Sequence, residues 1–279
     1  MSASRDYFVS TYAWIENPLR ETVVELVDEG WKAVEIMCEG RHGELLDWSE
    51  EQLAWLKRIG QDNGISWSLH APITGCNPAS TDTETIRASA SLLQRTLQIA
   101  EQLGCAHVVV HPGEREGKLD DPNENDTHNE AANRVVSFLQ RVLEATEGYE
   151  VIIALENVPP YPGLLGVDAS FIKQVVQKAD SPRVRIVFDV GHAHLTGKGQ
   201  CLMSLQNLLP YVISLHLSDN RGEKDDHLRL GAGTVPLEGV LTLVRQFQYS
   251  GSWVLELRAV PDVFASFEWL ELRRAGFGN

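Results

Sequence analysis

Cysteine is scarce in this 279-residue chain: Cys38, Cys76, Cys105 and Cys201 are all it has, and no two stand at CxxC spacing. That pattern suits reduced thiols in a cytosolic protein and offers no thiolate zinc site, so any metal falls to histidine and carboxylate. Long apolar runs are missing too, which speaks against a membrane span, and the opening MSASRDYFVS lacks the apolar stretch of a secretory signal. The cytoplasm is the expected location. Positive charge is in short supply: 24 basic residues against 39 acidic ones leave a formal net charge of −15, which repels nucleic-acid backbones at long range unless cations gather on one face. No GxGxxG follows the first apolar run, which counts against a doubly wound open sheet with a dinucleotide turn.

What the chain does have is regular alternation. Short runs rich in β-branched and aromatic residues lie at Tyr7–Ser10, Ala33–Met37, Ser66–His70, His107–His111, Val151–Glu156, Val184–Asp189, Val212–His216 and Ser252–Glu256. Several are apolar almost throughout, as strands buried on both faces should be. Helical spacing fills the intervals. In TETIRASASLLQRTLQIAEQLG (Thr83–Gly104), Ile86, Leu93, Leu97 and Ala100 fall on one face and a glycine closes the end. EEQLAWLKRIGQDNG follows the second strand, NEAANRVVSFLQRVLEATEG the fourth, DASFIKQVVQKAD the fifth and PLEGVLTLVRQFQYSG the seventh. Eight strands alternating with helices, with no linker or low-complexity break, predict one (β/α)₈ TIM barrel over residues 1–279.

The strand ends carry the chemistry. The third strand ends in His70, the fourth in His111, the fifth in Glu156, the sixth in Asp189, the seventh in His216 and the eighth in Glu256. In a parallel barrel these ends share one rim, where barrel enzymes place their sites. His192, in DVGHAH, and the pair Asp225 and His227, in KDDH, come just after strand ends. Spacing i, i+2 would put Asp225 and His227 on the same side of an extended backbone. A lone histidine at a strand end is most often just a hydrogen-bonded polar group. A carboxylate ending an apolar run is harder to dismiss, because an unpaired buried charge costs several kcal/mol or forces protonation. Glu156, Asp189 and Glu256 each end such a run and each needs a cation, so the tetrad Glu156, Asp189, His216 and Glu256 is the strongest signal. Zinc and manganese accept such nitrogen and oxygen sets. His107 opens its strand and reads as structural on the opposite face, and His128, in DDPNENDTHNE, reads as solvated. His42 and His194 stay undecided.

The segments LHAP, VVVHPG, ALEN, FDVGHAH, LHLSDN, DDHLRLGAGTV and VLEL, in this order, resemble the xylose isomerase-like TIM-barrel superfamily, which holds sugar isomerases and epimerases together with endonuclease IV-type enzymes, family 2 of the abasic-site (AP) endonucleases. The epimerase branch implies one divalent ion, zinc or manganese, on Glu156, Asp189, His216 and Glu256, with Glu156 and Glu256 exchanging protons with the sugar. The endonuclease IV branch implies up to three zinc ions: one on His70, His111 and Glu156, a second bridged by Glu156 and completed by Asp189, His216 and Glu256, and a third on His192, Asp225 and His227. All nine positions are filled. The acidic loop GEREGKLDDPNENDTHNE and the absence of a basic rim depart from DNA-reading relatives, while the segments around Glu35 and LGAGTV look more like isomerase relatives.

Two readings follow. The full ligand set leans towards hydrolysis of a small phosphoester by a metal cluster. The alternative is a sugar or sugar-phosphate isomerase or epimerase working with the tetrad alone. Abasic-site DNA cleavage is less favoured, and a non-catalytic binding barrel least, since buried carboxylates on an open rim are costly to keep without a use. Oligomeric state and substrate identity are not written in the sequence.

Overall fold

A computed structural model describes residues 5–115 and 128–275. Eight parallel strands close into a barrel in sequence order: β1 (Arg5–Ser10), β2 (Trp31–Met37), β3 (Ser66–His70), β4 (His107–Val110), β5 (Ile152–Glu156), β6 (Val184–Asp189), β7 (Val212–Leu217) and β8 (Ser252–Leu255). β1 pairs with β8 through Phe8 with Val254 and Val9 with Leu255, so no strand edge is left open. The helices between them are α1 (Leu19–Asp28), α2 (Glu50–Asn63), α3 (Thr83–Leu103), α4 (His128–Ala145), α5 (Ala169–Ala179), α6 (Val190–Leu195), α7 (Gln200–Leu208), α8 (Leu237–Gln246) and α9 (Val260–Ala275). The chain is thus a TIM barrel forming a single domain, as the alternation predicts. Most of the acidic segment after β4 lies outside the described residues. Among the described residues, no helix is long and apolar enough to cross a membrane.

Local signals fix the helix ends. Asp82 caps α3 by accepting from the Thr85 amide, and Gly104 closes it at φ 74. Ser49 and Gln52 form a reciprocal capping box on α2. Leu93, Leu97 and Ala100 are fully buried, as their spacing predicts, while Ile86 is only partly covered.

Two side-chain layers inside the barrel set up the site. Side chains alternate across a strand with period 2. Ser68, Val109, Ala154, Val187, Ser214 and Val254 therefore share faces with the residues two positions on: His70, His111, Glu156, Asp189, His216 and Glu256. Val109, Ala154 and Val187 pack as a small inner cluster separate from the main core between sheet and helices. The six chemical side chains sit one layer higher, at the C-terminal mouth. Three expected strand ends shift by a residue: β4 stops at Val110 and β8 at Leu255, so His111 and Glu256 stand just past the ladder, and β7 runs on to Leu217.

Candidate metal centre

The structure gathers all nine sequence-predicted ligands into three groups: His70, His111 and Glu156; Glu156, Asp189, His216 and Glu256; and His192, Asp225 and His227, with one ligand atom from each residue lying within 4.8 Å of the others in its group. Glu156 belongs to two of them. Its Oε2 lies 3.0 Å from both His70 Nε2 and His111 Nε2, and its Oε1 lies 2.9 Å from His216 Nδ1. In the third group, Asp225 Oδ2 stands 3.2 Å from His192 Nε2 and 2.9 Å from His227 Nε2.

The far nitrogens of three rings show which atom faces inward. A carbonyl oxygen can only accept, so the ring nitrogen beside it carries a proton. His70 Nδ1 donates to the Ala71 carbonyl at 2.8 Å, His192 Nδ1 to the Asn157 carbonyl at 2.9 Å and His227 Nδ1 to the Glu256 carbonyl at 2.8 Å. Each leaves Nε2 for the centre. This is how metal-binding imidazoles are usually oriented by their outer partners.

Sequence alone did not show how the loops bring these groups in. Asp189 caps α6, its Oδ1 accepting from the His192 amide at 2.6 Å, which swings the His192 ring from the strand end towards Asp225. The expectation of an extended Asp225–His227 segment is corrected: neither residue lies in a strand, and His227 adopts a left-handed φ of 46°. A non-glycine residue there is uncommon and is held by its surroundings. Leu228 pairs with Asp219 in an isolated bridge on one side, and the Glu256 carbonyl holds the ring on the other. Asp219 in turn accepts from the amides of Gly231, Gly233 and Val235, which wraps LGAGTV beneath the loop. A side chain at Gly233 would collide with the Asn220 carbonyl and Asp219.

The donor set fits divalent cations. Asp189 Oδ2, Asp225 Oδ1 and Glu256 Oε1 are buried without a hydrogen-bond partner, and such oxygens are costly unless a cation satisfies them. Ligand atoms around one zinc or similar ion sit roughly 2.0–2.2 Å from it, so groups this compact need only small adjustments. In the protein alone, imidazolium charge does the compensating. Burial disfavours charge throughout. Even so, His216, Glu156's neighbour, is raised well above its ordinary value by Glu156, Glu35 and Glu256. His192 is likewise raised by Asp189 and Asp225. Against the same burial, His227 is carried up to about 9 by Asp225 and Glu256. Glu156 is held well below the usual carboxylate range by His216, His111 and His70, again overcoming burial. Burial pushes Asp189 up to about 6, with His192 opposing.

The remaining histidines sort themselves out. His42 is buried between Thr11 Oγ1 at 3.0 Å and Thr22 Oγ1 at 3.4 Å, and burial lowers it to about 4. It braces the fold away from the centre. His194 reaches Thr234 Oγ1 at 2.9 Å and so ties α6 to the LGAGTV loop. His128 is exposed at the start of α4, its ring edge-on to Phe171. His107 opens β4 at the end away from the mouth, and its ring is buried with Nε2 3.6 Å from Glu35.

Two residues that sequence reasoning passed over belong to the surroundings of the site. Asn157 holds Asp189 from both sides, its Oδ1 accepting from the Asp189 amide and its Nδ2 donating to the Asp189 carbonyl, each at 2.9 Å. Glu35 is fully buried below His216. The signal for Glu35 was present: a carboxylate inside the apolar run AVEIM raises the same question as Glu156 does. Asn157 had no such signal.

A sequence model of the family described as xylose isomerase-like TIM barrel matches residues 23–273. An uncharacterised protein of Methanocaldococcus jannaschii is 28% identical over 264 residues, covering 94% of this chain and 87% of that protein. A probable endonuclease 4 of Acholeplasma laidlawii is 27% identical over 211 residues, covering 70% of this chain and 67% of the other. Among solved structures, a D-tagatose 3-epimerase-like protein matches with a TM-score of 0.83 at 28% identity, covering 95% of this chain and 96% of that one.

Proposed function

We propose that this chain, which belongs to the xylose isomerase-like TIM-barrel family, is a divalent-metal-dependent enzyme that hydrolyses a small phosphoester. The observation that carries this reading is the third group: His192, Asp225 and His227 converge beside the tetrad, and an epimerase working with the tetrad alone does not need them as metal ligands. Bound divalent ions supply Lewis acidity, polarising a phosphoryl group and lowering the pKa of water.

The chain's own residues do the rest. His70, His192 and His227 donate from Nδ1 to outer carbonyls, so Nε2 is the nitrogen each would offer to an ion. Glu156, engaged by three histidines, is suited to bridging two sites and poorly suited to taking a proton from carbon, since both of its oxygens already have partners. His111 and Asp225 are the most open ligands, each with about 14% of its side chain exposed against 7% or less for the others, so substrate approaches across these two. Arg258 stands beside Asp225: its exposed side chain donates to the Asp225 carbonyl at 3.4 Å. Arginine in this position suits an anionic oxygen of the substrate.

A sugar epimerase is the second reading, supported by the likeness to the D-tagatose 3-epimerase-like protein. Abasic-site cleavage draws on the endonuclease 4 relative but runs against the net charge of −15. Metal content and turnover decide between them. The expected result is three zinc or manganese ions per chain with phosphate released from small phosphoesters. One ion per chain with epimerisation of ketohexoses, or tight binding and incision of an abasic duplex at physiological salt, would overturn it.

A pH dependence follows from the same site. Metal binding needs neutral imidazole, yet His227 titrates at about 9 in the protein alone, and His192 and His216 lie well above their ordinary value of 6.5. At neutral pH these rings hold protons that an ion must displace. Affinity should therefore rise with pH until about 9 and fall as acid is added. The His227–Asp225 pair stabilises the metal-free fold fully below 6.5 and loses that contribution as pH rises through about 9. Zinc titration calorimetry at pH 7 in two buffers of different ionisation enthalpy should show release of more than one proton per chain. Zinc uptake without proton release would contradict this charge assignment.

A further inference from the structure

His216 differs from His70, His192 and His227 in a way that needs a partner. It turns Nδ1 towards the centre, 2.9 Å from Glu156 Oε1 and 3.5 Å from Glu256 Oε2. No backbone carbonyl meets its Nε2; Glu35 Oε1 does, at 3.0 Å. The two atoms are at hydrogen-bond distance but off its line, and neither has another hydrogen-bond partner, so a small rotation of the ring completes the bond.

Glu35 is placed for this by the sheet. It lies in the middle of β2, level with Ser68 of β3 in the strand register and one layer below His70. Ser68 Oγ donates to Glu35 Oε2 at 3.0 Å, and His107 Nε2 lies 3.6 Å from the same oxygen. The carboxylate is fully buried. A charge in that setting is expensive unless it is paired, and the groups facing it are one hydroxyl and two imidazoles.

We infer that Glu35 is a positioning residue for the tetrad: it fixes the His216 tautomer with the proton on Nε2, leaves Nδ1 as the ligating atom, and makes that ring a stronger donor than its backbone-tethered counterparts. Ser68 and His107 hold the Glu35 carboxylate in place from below. A full negative charge behind a metal-bound imidazole raises its basicity more than a carbonyl does, and loss of such an outer partner typically costs about 10- to 100-fold in metal affinity. The effect centres on the tetrad, because His216 is the ligand Glu35 contacts, while His70 feels its charge only at longer range. This inference rests on the tetrad binding a divalent ion, which both the phosphoesterase and the epimerase readings require.

The test uses Glu35→Gln, which keeps size and shape but removes the charge. Zinc affinities of the full-length protein are measured by chelator competition, with thermal unfolding of the metal-free protein as the fold control. The expected result is one zinc site weakened about 10- to 100-fold, the remaining sites unchanged and the fold retained. Unchanged affinity at every site would overturn the inference, as would equal weakening of all of them. If wild type itself binds no zinc, the metal reading fails instead. A measurement on zinc-loaded wild type stands independently of how the variant folds: long-range nitrogen–proton NMR correlations of His216 should show Nε2 protonated, and a proton on Nδ1 would refute the assignment.

Discussion

Replacing His227 with alanine removes one metal ion per chain and lowers phosphoester hydrolysis by about a hundred- to a thousandfold, the scale seen when one preorganised stabiliser of transition-state charge is lost. The expectation follows from what His227 does. Its Nε2 lies 2.9 Å from Asp225 Oδ2, and its Nδ1 is tied to the Glu256 carbonyl at 2.8 Å. Without the ring, His192 and Asp225 remain, and two ligands seldom retain an ion that three hold. The tetrad and the His70–His111–Glu156 group keep their ligands, so their ions stay. The fold should also stay, since alanine fits at the edge of the mouth, although the left-handed backbone at this position offers alanine no advantage. Metal analysis of wild type and variant side by side is the check. Unchanged metal content would remove the third site and, with it, the main reason for preferring hydrolysis. An enzyme using only the tetrad would keep its ion and lose mainly substrate affinity.

Glu156→Gln should abolish activity under either reading while leaving the barrel intact. Glu156 is the single residue shared by two groups, and three histidines contact its two oxygens. The amide cannot carry the charge that bridges two cations, nor accept a proton from carbon if the enzyme is an epimerase. Removing one partner from a buried charge cluster can be strongly destabilising when the other charge is stranded. Here the His216 imidazole keeps Glu35 at 3.0 Å and Glu256 at 3.5 Å, so its charge remains compensated. The outcome to look for is a loss of turnover of at least about a thousandfold, with far-ultraviolet circular dichroism unchanged and fewer ions bound. Retained turnover on the natural substrate would sink both mechanisms.

Much of this protein is legible in its sequence because a barrel strand is a local pattern. Apolar β-branched runs alternating with amphipathic helices give the (β/α)₈ order, and the last residues of those runs fall on one rim by topology alone. Carboxylates ending apolar runs, Glu156, Asp189 and Glu256, announce a cation because burial makes them expensive. Helices α1, α6, α7 and α9 carry no clear signal because their patterns are short or mixed, and packing settles them, α1, α6 and α9 against strands and α7 against neighbouring helices. The i, i+2 spacing of Asp225 and His227 assumes an extended backbone, and the structure has a left-handed turn there instead, although it does bring the two side chains together. That turn is set by Asp219, in the same loop, and by Glu256, at the end of the next strand.

What the sequence determined by itself is the fold and which side chains end on the rim, since each depends on periodicity within a strand, and the family resemblance implies the division of the nine candidates into three groups. Only the tertiary structure decided which nitrogen of each histidine faces the centre and that Glu35 stands behind His216. Those outcomes are contacts between neighbouring strands and loops, measured in tenths of an ångström. Hydrogen bonds to the Ala71, Asn157 and Glu256 carbonyls fix the His70, His192 and His227 rings, and backbone acceptors of this kind carry no mark in the residue types along the chain.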